Sequence, residues 1–366
     1  MKIGIDARLW NESGVGRYTR NLVKNLIKID KKNNYVIFIL PKDRKEIESL
    51  VKKSWKVVDA DFRWHSVEEQ SSFPKVLKKE KLDLIHFPYF SVPMTYKLPF
   101  IVTIHDLIIN HFPTGEASTL NPIVYKFKLK AYELVIKRAA KNSKAIITVS
   151  NTTKDEIVKH LKINSKKISV TYEGADDRIY NPVKKKLDEN YFLYVGNAYP
   201  HKNLVNLIKA FNLLEKEKKN LKLIFVGRED YFYRELRASF QPKESIIFKG
   251  GVTDSELFSL YDNATALVIP SLMEGFGLPV LEAISDKCLV LASNIPTFKE
   301  IYKDNLLYFD QNNPSDIYKA LKYTVDVKNA KVIDDKIKKA YEYSKQFSWE
   351  KMAKETLKVY EGSIGI

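Results

Sequence analysis

The chain has 366 residues, enough for about two domains at roughly 150 residues each. Its 45 % apolar and 29 % charged residues are ordinary for a soluble globular protein, which excludes collagen-like and low-complexity chains. A single cysteine, Cys288, excludes an intrachain disulfide and a cysteine-built zinc site, and the net charge is +16.

That charge is uneven. Residues 1–180 hold 33 Lys and Arg against 20 Asp and Glu, whereas residues 181–366 hold 28 against 25. A basic first half suits an acidic partner: an anionic membrane surface, a phosphorylated substrate or nucleic acid. It equally suits a lysine-rich, solvated surface with no partner at all. No window approaches 18 apolar residues, and the opening MKIGIDARLW lacks the long apolar core of a signal peptide. The expected location is the cytoplasm.

The elements follow in order. Lys2–Ala7 reads as a short strand, followed by a polar loop Arg8–Gly16. Apolar residues at Leu22, Val23, Leu26, Ile27 and Ile29 predict a helix over 18–29. Tyr35–Leu40 is a continuous apolar run ended by Pro41, which suits a buried strand. Further strand-like runs are 56–58, 84–87, 100–104, 145–149 and 168–172, and the longest helical pattern covers 123–140. Segment 181–189 is polar and lysine-rich and reads as a linker.

The second half repeats the plan, with strands expected at 191–196, 222–227, 245–250, 266–270, 288–293 and 306–309. Continuous apolar strands separated by helices indicate parallel sheets covered on both faces. The expected fold class is therefore α/β: two doubly wound, Rossmann-like domains, 1–180 and 181–345, facing across a cleft. A last helix near 349–360 would join 346–366 to the first domain. Ligands of open parallel sheets bind at the carboxyl ends of the strands, so the chemistry belongs to the loops there.

The strongest signal is the run from Ser271 to Glu282, SLMEGFGLPVLE, directly after the strand at 266–270. Gly275 and Gly277 permit tight turns and a close approach of backbone to ligand. Pro279 suits the first position of a helix, and the free N–H groups of that helix favour an anion such as a pyrophosphate. Glu274 and Glu282 can face one cleft, and carboxylates accept paired hydroxyls well. Gly14-Val-Gly16 follows the first strand, but Thr19 stands where a dinucleotide fingerprint needs its third glycine. That argues against an NAD enzyme and leaves a plain tight turn as the other reading. His105-Asp106 ends a buried strand and reads either as a cleft pair or as a structural histidine with a turn cap. His86 and His111 have no spaced partner for a metal cage and read as structural. Asp59-Ala-Asp61 reads as a turn.

The run EGFGLPVLEA resembles the E-x7-E signature of retaining glycosyltransferases of family 4, which have the GT-B fold. The resemblance covers essentially the whole chain. The opening IDARLWNESGVGRYTRNL is similar to the mannosyltransferase-B-like branch that builds surface polysaccharides. The resemblance implies transfer of a sugar, mannose from GDP-mannose being favoured, from a nucleotide-sugar donor to a glycan or lipid-linked acceptor, with the anomeric configuration kept. It implies no cofactor and no essential metal. It further implies that Glu274 fixes the sugar, Glu282 the ribose, and the loop Gly275, Phe276, Gly277, Leu278 the phosphates.

The other roles follow by position. Lys202, just before a helix that Asn203 would cap, matches the family's phosphate lysine, while Asn197 replaces the usual arginine after the preceding strand. Phosphate binding would then rest on Lys202, backbone N–H groups and Arg228, although Arg228 also reads as a surface ion-pair residue. Val252 would offer its backbone to the base. Gly14 and Gly16 would lie under the donor phosphates, and His105 would contact the donor sugar. Arg17 and Asp106 would stand on the acceptor side. The basic half suits peripheral contact with an anionic membrane, yet no stretch reads as a clear amphipathic membrane helix. The rival readings are another GT-B enzyme such as a nucleotide-sugar epimerase, and a nucleic-acid binder. No recognised nucleic-acid motif or basic stripe with interleaved aromatics supports the latter.

Overall fold

A computed structural model describes residues 1–64, 66–113, 121–175 and 190–364. The chain forms two compact units. One comprises Met1–Leu107, Leu120–Gly174 and Ser348–Ile366; the other comprises Ile108–Thr119 and Ala175–Phe347. The segment 181–189, read as a linker, lies outside the described residues.

The first unit is built on β1 (Lys2–Asp6), β2 (Asn34–Ile39), β3 (Lys56–Asp59), β4 (Leu84–Phe87), β5 (Phe100–Ile104), β6 (Ala145–Thr148) and β7 (Ile168–Val170). They form one sheet in the order β3-β2-β1-β4-β5-β6-β7. The second unit holds β8 (Asn190–Val195), β9 (Leu221–Val226), β10 (Ile246–Gly250), β11 (Ala266–Ile269), β12 (Val290–Ser293) and β13 (Leu307–Phe309). Their order is β10-β9-β8-β11-β12-β13. Every pairing in both sheets is parallel. Ile3, Ile5, Ile37 and Phe38 in one sheet and Phe192, Leu193, Leu223 and Leu267 in the other are all fully buried. With no face left for water, the strands carry uninterrupted apolar runs rather than alternation.

Strand positions follow the apolar runs closely: β4 and β5 match the expected bounds, and the other strands differ by one or two residues at an end. The first helix differs more. It spans Gly14–Ile29, so Gly14-Val-Gly16 is its first turn and not a loop ahead of it. A Cβ on Gly16 would lie 2.6 Å from the carbonyl oxygens of Leu9 and Trp10, so the loop after β1 folds back against this turn. Periodicity cannot detect a helical turn made of glycines, because they add no apolar side chain. The long helix spans Pro122–Asn142 and the last one Trp349–Ile364. No helix among the described residues is long and apolar enough to cross a membrane.

The last helix packs with Gly14–Ile29 in the first unit, and a buried polar chain secures it. His86 on β4 shares hydrogen bonds with Tyr360 Oη at 2.8 Å through Nδ1 and with Thr103 Oγ1 on β5 at 2.7 Å through Nε2. Both ring nitrogens are used internally, which fits the structural reading of His86. Burial, with a smaller push from His105, drives its pKa from 6.5 to about 3. Between those values the unfolded chain binds a proton that the folded chain refuses, so stability falls as pH drops through this window. The cost approaches about 1.4 kcal/mol per pH unit. Denaturant melts from about pH 7 to about pH 5 should show the stability gap between wild type and His86→Gln narrowing toward acid, since glutamine cannot titrate. A gap independent of pH would contradict this origin.

Candidate functional site

In the second sheet, β8 and β11 are neighbours, but their successors β9 and β12 lie on opposite sides. The connecting loops therefore leave in opposite directions and open a crevice at the carboxyl ends of β8 and β11. The loop after β8 carries Lys202; the loop after β11 carries Glu274. Backbone joins the two: Leu272 N–H donates to His201 O at 2.8 Å. Asn203 Nδ2 donates to Pro270 O at 3.0 Å and to Gln311 O, beyond β13, at 2.7 Å. Asn203 holds the N-cap position of Leu204–Glu217 without a side-chain capping bond, because its amide is committed to these carbonyls. The expected cap is in fact a clamp between loops.

This clamp sets a charged cluster. Lys202 Nζ lies 2.8 Å from Glu274 Oε1, and Ser271 Oγ donates to the same oxygen at 2.6 Å. Thr297 Oγ1 donates to the Glu274 carbonyl at 2.8 Å. The two charged side chains remain 15 % and 13 % exposed, so the pair is open to a ligand on one side. Burial alone would raise the Glu274 pKa, but the charge of Lys202 and the hydrogen bonds from Lys202 and Ser271 hold it below the usual value. Burial, aided by Lys202, lowers His201 to about 4. At neutral pH Glu274 is thus a carboxylate and His201 a neutral imidazole.

The loop then turns into helix Leu278–Ser285, with Gly277 as N-cap at φ +89°. The helix starts one residue before Pro279, which occupies its second position. A Cβ at 277 would add a 2.6 Å clash with the Phe298 ring to the strain of that φ. Tyr302 Oη donates to Gly277 O at 3.0 Å, and Phe276 is buried. No side chain caps the first turn, where Pro279 carries no N–H and Val280 N–H donates to Gly277 O at 2.9 Å. Gly275 is buried and Leu278 half-buried in the same loop. Glu282, on the next turn of this helix, is 7 % exposed and accepts from Tyr261 Oη at 3.1 Å.

The remaining positions in this unit are less engaged. Asn197 accepts through its carbonyl from Tyr194 Oη at 2.6 Å. Arg228, just after β9, is exposed and forms no ion pair among the described residues; its neighbour Glu229 pairs with Arg237 instead. Val252 is half-buried between β10 and helix Asp254–Asn263.

In the first unit, His105 is half-buried. Its Nε2 is 3.0 Å from Pro88 O, its Nδ1 3.6 Å from Glu173 Oε1, and Tyr18 meets its ring edge-on. Asp106 and Arg17 are half-buried. Gly14 differs from Gly16 in that a Cβ there would meet nothing within 4 Å. Behind the loop after β1 sits a buried network that the sequence does not single out. Arg8, fully enclosed, pairs with Asp6 Oδ2 at 2.7 Å and Glu69 Oε1 at 2.8 Å and lies over the Phe73 ring. Ser271 could have been read from its place at the end of an apolar run. Tyr261, Thr297 and Tyr302 come from distant segments and carry no local signal.

Two family models cover nearly all of the chain: Glycosyltransferase Family 4 over residues 13–178 and Glycosyl transferases group 1 over residues 176–347. The chain belongs to the family 4 glycosyltransferases. Its fold is GT-B, as in Anabaena HepE solved with UDP and glucose: the TM-score is 0.76 at 14 % identity, covering 99 % of both chains. The O-antigen chain mannosyltransferase RfbU of Salmonella typhimurium is 33 % identical over 69 % of this chain and 66 % of its own length, so the match spans a little under two thirds of that relative. The O-antigen chain mannosyltransferase B of Escherichia coli is 28 % identical over 78 % of this chain and 76 % of its own.

In this family 4 chain the Lys202–Glu274 pair should be coupled energetically. Lys202→Met strands a carboxylate in a partly closed site and should destabilise the second unit by about 2 kcal/mol. Glu274→Gln in the same background should restore more than half of that, read by denaturant melts in a double-mutant cycle. Strictly additive effects would mean the pair contributes no coupling.

Proposed function

We propose that this protein transfers a sugar, mannose from GDP-mannose, to a glycan or lipid-linked acceptor in the cytoplasm, with retention, during surface polysaccharide synthesis. The observation that carries the proposal is the Lys202–Glu274 cluster in the β8/β11 crevice, beside the uncapped start of helix Leu278–Ser285. The choice of mannose is supported by the two O-antigen mannosyltransferase relatives. A nucleotide-sugar donor is supported by the UDP and glucose held by the structurally similar HepE.

The roles follow from the chemistry. Glu274 stays ionised because Lys202 faces it, and an ionised carboxylate accepts hydrogen bonds from sugar hydroxyls. Lys202, the backbone N–H groups of Gly275, Phe276, Gly277 and Leu278, and Arg228 supply positive charge to the departing diphosphate. Glu282, held by Tyr261, takes the ribose hydroxyls, and the Val252 backbone takes the base. Asn197, Gly14 and Gly16 line the donor phosphates. His105 contacts the donor sugar, and Arg17 and Asp106 serve the acceptor. The new bond forms between the acceptor oxygen and C1 on the face that the diphosphate leaves. The acceptor proton passes to the leaving phosphate oxygen, so no side-chain nucleophile is required.

Glu274→Ala should lower the rate of GDP release from GDP-mannose about a hundredfold while GDP affinity changes less than about threefold, since the carboxylate acts on the sugar. Unchanged turnover in this variant would overturn the assignment.

A further inference from the structure

His105 stands just past the carboxyl end of β5, and other segments of the first unit close on its ring. Its Nε2 lies 3.0 Å from the carbonyl oxygen of Pro88, the residue after β4. That oxygen can only accept, so Nε2 carries a hydrogen and donates it. The other nitrogen, Nδ1, faces Glu173 Oε1 at 3.6 Å. Helix Gly14–Ile29 supplies a further wall, because Tyr18 meets the ring edge-on with 4.9 Å between centroids. The main chain is pinned as well: Thr153 Oγ1 donates to His105 O at 3.3 Å.

The side chain of Glu173 is 5 % exposed, and it forms no ion pair or hydrogen bond other than that with His105 among the described residues. A carboxyl group closed off from water is costly unless a partner offsets the lost hydration. The backbone on either side of it is fixed by other means. Thr171 N–H donates to Thr148 O at 2.9 Å, which continues the pairing of β6 with β7. Gly174 packs so closely on Ser348 and Trp349 that a Cβ would come within 2.1 Å of the Trp349 nitrogen. The turn Tyr172-Glu173-Gly174 is thus anchored without the carboxyl, which is left for the imidazole. A ring contacted at both nitrogens cannot rotate without giving up one of the two contacts.

From this geometry we infer that Glu173 is a positioning residue for the transfer reaction. It locks the orientation of His105, and so of the surface that the end of β5 presents to the donor sugar, without touching substrate itself. The inference rests on the proposed contact of His105 with that sugar. Orientation matters because a displacement of about 1 Å near a reacting centre can cost up to about a hundredfold in rate.

The first test reads the ring directly, by magnetic resonance of the full chain with its six histidines isotopically labelled at the ring nitrogens. The His105 signals are assigned by their loss in His105→Ala. Glu173→Ala should move them, Nδ1 most, while those of His86 stay in place. His105 signals that do not move, or histidine signals that all move together, would overturn the inference.

The second test reads the chemistry. Kinetics use the sugar nucleotide that wild type turns over, so an error in the proposed donor shows in wild type and an error about Glu173 only in the variants. Glu173→Ala should lower kcat about tenfold and leave KM within about twofold. Glu173→Gln should recover most of that loss, because its amide can donate to Nδ1. In a His105→Ala background, Glu173→Ala should have no further effect. Equal losses in both backgrounds, or no recovery with glutamine, would mean that Glu173 supports the fold alone and would overturn the inference. If the alanine chain does not fold, Glu173→Met, closer in volume, takes its place in both tests.

Discussion

The ion pair between Lys202 and Glu274 is the constraint on which the candidate site depends. Neither residue is held by its own loop alone. The loop after β8 and the loop after β11 are tied by the Leu272–His201 backbone bond and by the Asn203 amide, which also reaches the loop after β13. Three strand ends thus fix one carboxylate oxygen, which takes both the ammonium and the Ser271 hydroxyl. A carboxylate so partnered stays charged despite its partial burial, which is the state the proposed contact with sugar hydroxyls needs.

The sheet explains why the cluster forms there. A doubly wound parallel sheet has one place where neighbouring strands send their connections to opposite sides, and here that place lies between β8 and β11. The same topology recurs in the first unit between β1 and β4, where the loop after β1 is backed by the buried Arg8, Asp6 and Glu69. The Arg8–Glu69 pair in that network is fully enclosed, whereas the Lys202–Glu274 pair retains some exposure. One reads as support for a loop and the other as a contact surface.

Much of the fold was legible in the sequence because strands buried on both faces leave continuous apolar runs such as YVIFIL and ALVI. The glutamates of the E-x7-E run were legible for a different reason: glycines and a proline punctuate that loop and fix its geometry. What escaped was long-range. Tyr261 reaches Glu282 from another helix, and Thr297 reaches the Glu274 carbonyl from beyond β12. Asn203 looked like a helix cap, but its amide is drawn to two carbonyls that only the folded sheet brings near.

The most direct measurement is the thermal stability of the protein with GDP, UDP and ADP, on wild type and on Glu282→Ala. A ligand bound only by the folded state raises apparent stability by mass action, about 2.7 kcal/mol at a hundredfold excess over Kd. A GDP-mannose donor bound in the β8/β11 crevice requires a clear rise with GDP that Glu282→Ala abolishes or greatly reduces. A rise with UDP or ADP alone would keep the site and overturn GDP-mannose as the donor. No rise with any of the three, or a GDP rise undiminished in Glu282→Ala, would contradict the placement of the donor in this crevice.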